Sequence, residues 1–354
     1  MATTDYGVNH PLAVKLWSRK LFQEIIGSTY TGRFMGTSDK SLIQIKTETQ
    51  KSEGDKITFG LRMLLTGAGI QGDNALEGNE EALTTYSDSV TINQLRHAVR
   101  SAGRMSEQRV PFSIREEARM GLQDWWTERM ETSIANQLTG NTGQADTKYT
   151  GNVATTAPST AGSVTRIICG GSETAEGSLS ATTTHAIKLA DLDRAVALAK
   201  TQSPRIRSIS VDGKNMWVAF LHPYQIYQLR RDASTAGNFY DVQKAMLQGG
   251  KISDNPIVTG ASFVYNNVIV HEWDYLPLVP SQTVYRRGVF CGAQSAVIGF
   301  GQGNTQNKMT WEEELFDYGN QLGVAGGCIF GVKKTVFNSI DFSTIVLSGY
   351  APTP

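Results

Sequence analysis

The chain has 354 residues, and its 33 Lys and Arg side chains balance 33 Asp and Glu side chains, so the formal charge is zero. That balance argues against a dedicated binder of nucleic acid or of anionic membranes, because such proteins take their affinity from a surplus of cations. A hydrophobic fraction of 40% argues against a wholly disordered chain, and the 35 glycines indicate many turns and hairpins.

The cysteines Cys169, Cys291 and Cys328 lie far apart and form no zinc-binding or disulfide pattern, which favours a reducing compartment. Residues 1–10 lack the basic and apolar regions of a signal peptide. No run of residues approaches the roughly 18 apolar positions of a membrane span. We therefore expect a soluble intracellular protein with no membrane partner.

The N-terminal segment, residues 1–36, predicts one short helix from Pro11 to about Ile26. Its apolar side chains recur at spacings of three and four, and Gly27 provides a stop. The apolar stripe is narrow and has no neighbouring core segment. This pattern is typical of an arm that docks onto another surface.

Residues 37–103 predict strands, at Leu42–Glu48, Lys56–Leu65 and Leu83–Leu95. The second strand has the clearest alternation of apolar and polar side chains. The stretch between the last two, Thr66–Ala82, is rich in Gly and acids and has too little apolar surface to fold alone. The simplest structure is a long hairpin with a polar tip, which needs a partner surface because isolated hairpins are marginally stable in water.

The strongest predicted helix follows Ser113, which forms a capping box with Glu116, and ends at Gly140. At 1.5 Å per residue its roughly 25 residues extend about 37 Å, long enough to act as a spine for other elements. The tandem Trp125 and Trp126 point about 100° apart on a helix. One is therefore expected in the core and the other against a neighbouring element.

Residues 140–186 are rich in Gly, Ser, Thr and Ala and predict a long loop or weak surface strands, the most exposed part of the chain. Further helices are predicted at 189–199, from Pro223 to Arg231, and at Phe239–Gln248. Further strands are predicted at Ser208–Val211, Met216–Phe220, Val258–Val270, Val284–Gly299, Thr310–Leu315, Cys328–Val336 and Ile345–Leu347. Helices and antiparallel strands without regular βα alternation predict an α+β fold.

Residues Gly67–Gly72 read G-x-G-x-x-G after a strand, which is the pattern of a dinucleotide site. A dinucleotide site requires a helix immediately after the loop, since the helix N-terminus binds the pyrophosphate. Here Asp73–Glu80 brings acids and a further glycine instead. A flexible hairpin tip is the favoured interpretation, and a nucleotide-dependent enzyme with a helix beginning near Asn74 is the alternative.

No other pattern indicates catalysis or a metal or cofactor site. The five histidines lie on different predicted elements, without the i, i+4 spacing of a metal site. His271 and Glu272 resemble an acid–base pair, but their position at a strand end favours a structural role. Residues 311–314 predict a strand with an acidic exposed face that is offered to a basic neighbour. We therefore predict a protein that is not an enzyme and has no cofactor.

A run of arginines enters the long helix, and it suggests either phosphate contact or ion pairing. The run comprises Arg96, Arg100, Arg104, Arg109, Arg115 and Arg119. Pairing with the interleaved acids Glu107, Glu116 and Glu117 is the favoured reading, because oppositely charged side chains at helical spacing attract one another.

Several segments together resemble one family of tailed-bacteriophage major capsid proteins, that of podoviruses with a large virion polymerase. The matching segments are Ile57–Gly69, Leu76–Leu83, Asp88–Arg100, Gln108–Phe112, Trp217–Pro223 and Gly292–Ala296. The resemblance extends over about residues 40–340. It is most specific between residues 57 and 139.

The resemblance implies the Johnson-type fold that is named for the Hong Kong phage. Its implied parts are an N-terminal arm (1–36), an extended hairpin or E-loop with flanking strands (37–103), a peripheral domain with the spine helix and a variable loop (104–186), an axial domain (187–300) and peripheral return strands (301–354). Some relatives crosslink a Lys to an Asn, but no matching motif is present here.

The resemblance also implies a subunit that assembles into hexamers and pentamers of an icosahedral shell around double-stranded DNA. The implied location is the virion capsid, after assembly in the host bacterial cytoplasm. Besides itself, the implied partners are scaffolding, portal and decoration proteins, and packaged DNA through weak non-specific contact. A tail or decoration protein is a further alternative, although such proteins have little use for a long spine helix.

The hairpin supplies the predicted contacts between subunits. Its charged residues repeat in every copy, and each exposed ion pair contributes only about 0–1 kcal/mol, so strength must come from number and from apolar patches. The candidate contact residues are Lys51, Glu53, Asp55, Phe59, Leu61, Arg62, Met63, Glu77, Glu80 and Glu81.

Overall fold

The computed structural model describes residues 24–25, 28–46, 54–62, 65, 67–72, 77–78, 80–82, 85–111, 113–160, 164–211, 213–231, 261–280, 282–301 and 309–354. The predicted helix over 239–248 lies outside these residues, as does nearly all of the predicted helix over 11–26. Lys51, Glu53 and Met63 also lie outside them, as does the side chain of Arg62.

Within the described residues the fold is α+β, as predicted. The helices are Arg104–Gln108, Ile114–Thr139, Leu189–Thr201 and Pro223–Arg231, and a 3-10 turn covers Tyr30–Phe34. The strands are β1 (Met35–Gly36), β2 (Ile43–Lys46), β3 (Lys56–Arg62), β4 (Thr85–Thr91), β5 (Asn93–Arg100), β6 (Ile167–Cys169), β7 (Ile209–Val211), β8 (Lys214–Leu221), β9 (Phe263–Tyr265), β10 (Val268–Glu272), β11 (Tyr285–Cys291), β12 (Ala296–Phe300), β13 (Met309–Phe316), β14 (Gln321–Lys334), β15 (Val336–Phe337), β16 (Ile340–Asp341) and β17 (Thr344–Tyr350).

The strands form two large sheets and two small pairs. In the first sheet the order is β1-β2-β12-β14-β13, and β5 also pairs with β14. In the second sheet the order is β6-β17-β11-β8-β10-β9, and β7 pairs with β8. The pairs β3–β4 and β15–β16 are separate antiparallel hairpins. Several neighbours in the sheets are distant in sequence, so long-range pairing holds the fold together.

The Ile114–Thr139 helix, which we call the spine helix, contacts both large sheets. One apolar core contains its Leu122, Trp126 and Ile134 together with Phe330 of the first sheet and Phe220 of the second. Fully burying a large apolar side chain contributes roughly 1.5–3 kcal/mol, so this shared core is a main source of stability. A second core covers the other face of the second sheet with the Leu189–Thr201 and Pro223–Arg231 helices.

The two ends of the spine helix differ from each other. At the start, the Ser113 side chain makes no capping hydrogen bond, so the predicted capping box is wrong. Glu116 is exposed there, and its backbone N–H donates to the Ser113 carbonyl at 3.1 Å. A side-chain cap is not required, because water can satisfy the remaining N–H donors of an exposed first turn. At the other end Gly140 adopts the predicted left-handed conformation, with φ 61° and ψ 45°.

Two buried cations lie at the C-terminal end of the spine helix, where the helix dipole favours positive charge. Arg287 donates to the carbonyls of Thr139 (3.2 Å) and Gly140 (2.8 Å) and forms a bidentate pair with Glu176 (2.6 and 2.7 Å). Lys334 donates to Asp341 at 2.9 Å, with both side chains 1% exposed. Burial lowers the pKa of Lys334, while Asp341 opposes that effect. These pairs join the helix end to both sheets.

Three sequence predictions are corrected here. The segment 140–186 contains a buried strand, β6, which runs parallel to β17; its apolar run is too short to show a period. Within the predicted strand 258–270, the described residues form the β9–β10 hairpin, since Asn266 (φ 43°) and Asn267 (φ 60°) form a tight turn. The predicted strand 284–299 separates into β11 and β12 in different sheets, with a turn at Gln294 (φ 59°).

Candidate interaction surfaces

The base of the β3–β4 hairpin packs on the first sheet. Ile57, Val90 and Ile92 form a buried cluster with Val297 of β12. Phe59 is half-buried beside this cluster, and its ring meets that of Phe337 edge to face at a centroid distance of 6.0 Å. Aromatic pairs of this geometry contribute about 0.5–1.5 kcal/mol beyond area burial. The base of the hairpin is therefore an intrachain contact.

Two glycines allow the hairpin base to approach the sheet closely. A Cβ on Gly299 would lie 2.6 Å from the Ile57 side chain, and a Cβ on Gly331 would lie 2.1 Å from the Thr91 carbonyl oxygen. The second clash is with backbone, which cannot rotate away. Any larger residue at position 331 would therefore lift the hairpin off the sheet.

A charged group also fixes the hairpin at this point. Asp88 of β4 forms an ion pair with Lys333 of β14, and the Lys333 ammonium also donates to the Ser89 carbonyl at 3.0 Å. The second Asp88 oxygen accepts the N–H of Val336 at 3.1 Å. Asp88 and Lys333 are 245 residues apart, so no local sequence signal could have identified this anchor.

Beyond Phe59 most of the described hairpin side chains are exposed. Leu61 is half-buried, Leu65 is 64% exposed, and Glu77, Glu80 and Glu81 are all exposed. At the opposite end Asp55 is exposed, while its carbonyl accepts the N–H of Ile92 at 2.8 Å. The predicted contact residues thus divide into two groups: Phe59 and Asp55 lie near the anchored base, and the acids lie on the exposed tip.

The Gly67–Gly72 loop does not have the surroundings of a nucleotide site in the described part of the chain. Its residues have no regular structure, and neither do the described positions among 77–82 that follow. The Gly67 N–H donates to the Glu81 carboxylate at 2.6 Å, so an acid already occupies a donor that a phosphate would require. The position near Asn74 where the alternative places a helix start lies outside the described residues.

The three strands β5, β14 and β13 form a face on which the charges are separated. Gly323 of β14 lies opposite Arg100 of β5 and Glu314 of β13, and Ala325 lies opposite Ala98 and Glu312. Directly opposite residues share one face of an antiparallel sheet. The face therefore has a basic row on β5, small residues on β14 and an acidic row on β13.

The charges of this face are available for contact. Glu312 and Glu314 are exposed, as the sequence analysis predicted for this strand. Among the residues that the structure describes, neither has an ion-pair partner, and Arg96 also has none. Arg100 lies over the Phe316 ring at 4.2 Å and donates to the Gln321 side chain. On the opposite face β13 and β14 pack inward, while the exposed His97 of β5 stacks on Trp125 at a ring-centroid distance of 4.5 Å.

The arginine run does not pair with its interleaved acids, so that prediction is wrong. Arg115 pairs with buried Glu313 of β13 (2.5 and 2.7 Å), and Arg119 pairs with Glu24 at 2.5 Å. Glu116 lies on the exposed side of the helix instead. The tertiary fold brings distant carboxylates closer than the local ones. Trp126 is buried and Trp125 is half-buried, which confirms the prediction for that pair.

His271 lies in a buried polar network and not in a cleft. Its Nδ1 is 2.7 Å from the Tyr30 hydroxyl, while Glu272, the next residue, is exposed on the other side of the strand. The nearby Glu131 carboxylate accepts from the Thr31 N–H (2.9 Å) and from the Trp273 indole (2.7 Å), and burial raises the pKa of Glu131. This network fastens the Tyr30–Phe34 turn to the spine helix, which is a structural role.

The described residues contain no group of three or more His, Cys, Asp or Glu side chains that could hold a metal ion. Among their helices, none is both long enough and apolar enough to cross a membrane. Burial raises the pKa of the thiols of Cys169 and Cys291 to about 12. Such thiols are poor nucleophiles at neutral pH.

Comparisons with known proteins agree on one class. A family model described as phage capsid protein matches residues 5–353. The chain is 28% identical over 355 residues to the major capsid protein of Pseudomonas phage KPP25, covering 92% of this chain and 90% of that protein.

Solved structures give the same result for the fold. The capsid of Ralstonia phage GP4 is similar with a TM-score of 0.79 and 32% identity, covering 100% of this chain and 99% of that one. The capsid asymmetric unit of cyanophage Pam1 has a TM-score of 0.70 at 20% identity and 92% coverage of both chains, which is a likeness of fold.

Proposed function

This chain belongs to the phage capsid protein family, and we propose that its hairpin and its charge-separated sheet face are the contacts through which copies of it build the shell. It is a phage major capsid protein with the Johnson-type, Hong Kong phage-like fold. The narrower assignment to podoviruses with a large virion polymerase stays a prediction.

The observation that carries the proposal is the division of the hairpin. Its base is anchored by Ile57, Val90 and the Asp88–Lys333 pair, whereas Leu65 and the tip acids are exposed. A protruding strand pair is marginally stable unless another surface covers it. A neighbouring copy supplies such a surface.

The shell architecture is part of the same proposal. Copies assemble into hexamers and pentamers of an icosahedral shell that encloses double-stranded DNA. Zero net charge suits this role, because a strongly charged subunit repeated many times would repel itself. Packaged DNA makes only weak, non-specific contact; scaffolding, portal and decoration proteins are further partners, and assembly takes place in the host bacterial cytoplasm. The subunit is structural and performs no catalysis.

We assign the domains along the chain as the sequence analysis did. The spine helix, β13 and β14 belong to the peripheral domain, where the two strands return to the helix through Arg115–Glu313 and Trp126–Phe330 contacts. Strands β7 to β11 belong to the axial domain. By pairing, β6 and β17 extend the axial sheet, although they lie outside residues 187–300 in sequence.

The decisive experiment shortens the hairpin without disturbing its base. Arg62 and Thr85 are directly paired, so a two-residue Asn-Gly turn can join them in place of residues 63–84. We expect its free energy of unfolding to lie within about 0.5 kcal/mol of the wild-type value, because nearly all of the described residues that it removes are exposed. We also expect it to form no closed particles by negative-stain electron microscopy.

A second variant replaces residues 63–84 with an equally long Gly-Ser segment. It separates the effect of the length of the hairpin from the effect of its side chains. We expect this variant to fail in assembly too, since it lacks the apolar and acidic contacts. Closed particles from either folded variant would contradict the proposed hairpin contact. Family membership would not be affected by that result.

A further inference from the structure

The two outer strands of the β5–β14–β13 face each have one edge that no other described strand covers. β14 lies between β5 and β13, and among the described strands each of the two pairs only with β14. Every residue of β5 except Leu95 is exposed, and on β13 Glu312, Glu314 and Leu315 are exposed. An unpaired strand edge offers backbone N–H and C=O groups to a further strand.

The hydrogen bonds to β14 indicate which backbone groups of β5 point outward. The Ser101 N–H donates to the Leu322 carbonyl at 2.8 Å, at the end of the β5–β14 ladder. Bonded and non-bonded pairs alternate along an antiparallel ladder, so the backbone groups of Arg96, Ala98 and Arg100 point away from β14. Within the part of the chain that the structure describes, none of these groups has a hydrogen-bond partner.

The same alternation identifies the outward groups of β13. Val324 of β14 directs its backbone groups to β5, so the two residues beside it direct theirs to Glu312 and Glu314 of β13. The backbone N–H and C=O groups of Glu313 and Leu315 therefore point outward. They lie on the edge of the face opposite to the edge that β5 forms.

The charges of the two edges disfavour contact between like edges. Arg96 and Arg100 stand along β5, while Glu312 and Glu314 stand along β13 on the same face. Charged side chains on an edge strand hinder its pairing with an identical edge, since like charges then stand opposite one another. A basic edge and an acidic edge attract each other instead. The charges therefore favour contact between β5 of one copy and β13 of another.

One register of this contact pairs suitable side chains on both faces. β5 and β13 run in the same direction because both are antiparallel to β14, so a second copy in the same orientation brings its β13 parallel to β5. If Ala98 lies opposite Glu314 of the second copy, Arg96 lies opposite its Glu312. On the other face, Val99 then lies opposite its Leu315.

Val99 and Leu315 are the large apolar side chains that are exposed on these two strands, at 37% and 49%. A shift of the register by two positions would place Val99 opposite Glu313 or Asp317 instead. The register with Ala98 opposite Glu314 is therefore the one that joins the apolar side chains to each other and the charges to their opposites.

We propose that the β5 edge of one copy pairs in this register with the β13 edge of the next copy, so that the sheet continues from chain to chain. The Ala98 N–H then donates to the Glu313 carbonyl of the next copy, and the Leu315 N–H of that copy donates to the Ala98 carbonyl. The inference rests on the proposed function of the charge-separated face and names the pairing within it. Contact between two different edges is head to tail, and such contacts can close into rings, in agreement with the proposed hexamers and pentamers.

Disulfide crosslinking in assembled particles tests the pairing. The native cysteines Cys169, Cys291 and Cys328 are buried, so they should give little background. Opposite residues of paired strands lie about 5 Å apart, which suits a disulfide. We expect particles assembled from equal amounts of Ala98→Cys and Glu314→Cys to give crosslinked dimers on non-reducing gels after mild oxidation, and particles of either variant alone to give none.

Val99→Cys mixed with Glu314→Cys is the matched control, because adjacent residues of a strand point to opposite faces. We expect this mixture to crosslink much less. Dimers from Ala98→Cys alone would mean that β5 pairs with itself, and closed particles without crosslinks would mean that the two edges are apart. Either result would overturn the proposal.

A second test needs no cysteine and applies even if the cysteine variants form no particles. Ala98→Pro removes an outward N–H without breaking a bond to β14, which a strand edge tolerates. We expect a urea midpoint close to that of the wild type and no closed particles by electron microscopy. Ala98→Val keeps the N–H and should still assemble.

If Ala98→Pro assembled as well as Ala98→Val, the proposed pairing would be wrong. The hairpin variants described above test the hairpin contact of the proposed function separately. Particles that close without edge pairing would therefore reject this inference and leave the hairpin contact in place.

Discussion

The C-terminal end of the spine helix and the hairpin beyond Phe59 differ in how their charged side chains are placed. At the helix end, Arg287 and Lys334 are buried, and each is paired with a carboxylate of the same chain. On the hairpin tip, Glu77 and Glu80 are exposed, as is Leu65. The first region fixes the fold of one molecule, while the second is the region that we propose to contact other molecules. Substitutions should therefore reduce stability in the first region and assembly in the second.

Among the substitutions that test this comparison, Lys334→Met has the largest expected effect on stability. The change leaves the Asp341 carboxylate buried without its cation, and loss of one partner of a buried pair costs about 3–5 kcal/mol. Urea unfolding of the unassembled chain measures this loss. The double variant Lys334→Met/Asp341→Leu should recover part of it, because two apolar side chains leave no buried charge. A single variant as stable as the wild type would show that the pair does not hold the helix end.

A smaller effect on the same helix depends on pH. Burial raises the pKa of Glu131 above its ordinary value of 4.5, so the folded chain binds this proton more tightly than the unfolded chain does. The contribution of this proton to the free energy of unfolding is fully present below about pH 4.5. It is lost as the pH rises through the raised pKa of Glu131 in the folded chain. Glu131→Gln removes this dependence.

Unfolding free energies of the wild type and Glu131→Gln, measured between pH 7 and pH 5, test this relation. We expect the difference to shift in favour of the wild type on acidification, by at most about 1.4 kcal/mol per pH unit. A difference that stayed constant, or that moved the other way, would mean that the carboxyl is not held in its protonated form by burial.

The smallest predicted loss of stability tests where the anchored base of the hairpin ends and its exposed part begins. Phe59→Ala removes a half-buried ring and its edge-to-face contact with Phe337, for a loss of about 1–2 kcal/mol. Leu65→Ala, on the exposed side of the border, should change stability by less than about 0.5 kcal/mol. The same urea series compares them. Equal losses for both would contradict a border near Phe59.

Local signals in the sequence were sufficient for several elements. The spine helix begins after Ser113 and ends at Gly140 as predicted, because a long 3.6-residue period and a C-terminal glycine are properties of neighbouring residues. The strand Lys56–Arg62 and the outward Glu312 and Glu314 follow from alternation in the same way.

Contacts between distant residues could not be predicted. Arg115 bonds to Glu313, 198 residues away, in preference to the adjacent acids, and Phe59 meets Phe337. Strand β6 is buried only because β17, from the end of the chain, pairs with it. These features are properties of the tertiary structure, and a single sequence carries no pattern for them.

The basic residues on β5 and the acidic residues on β13 give this neutral molecule one positive and one negative side on the β5–β14–β13 face. Strands lie about 4.8 Å apart, so the Arg96 and Arg100 side stands about 10 Å from the Glu312 and Glu314 side. This separation is close to the Debye length, about 8 Å at physiological ionic strength. An approaching molecule therefore senses the two sides as separate fields. A lower ionic strength lengthens the range of these fields, so we expect it to strengthen their influence on the orientation in which two such molecules first meet.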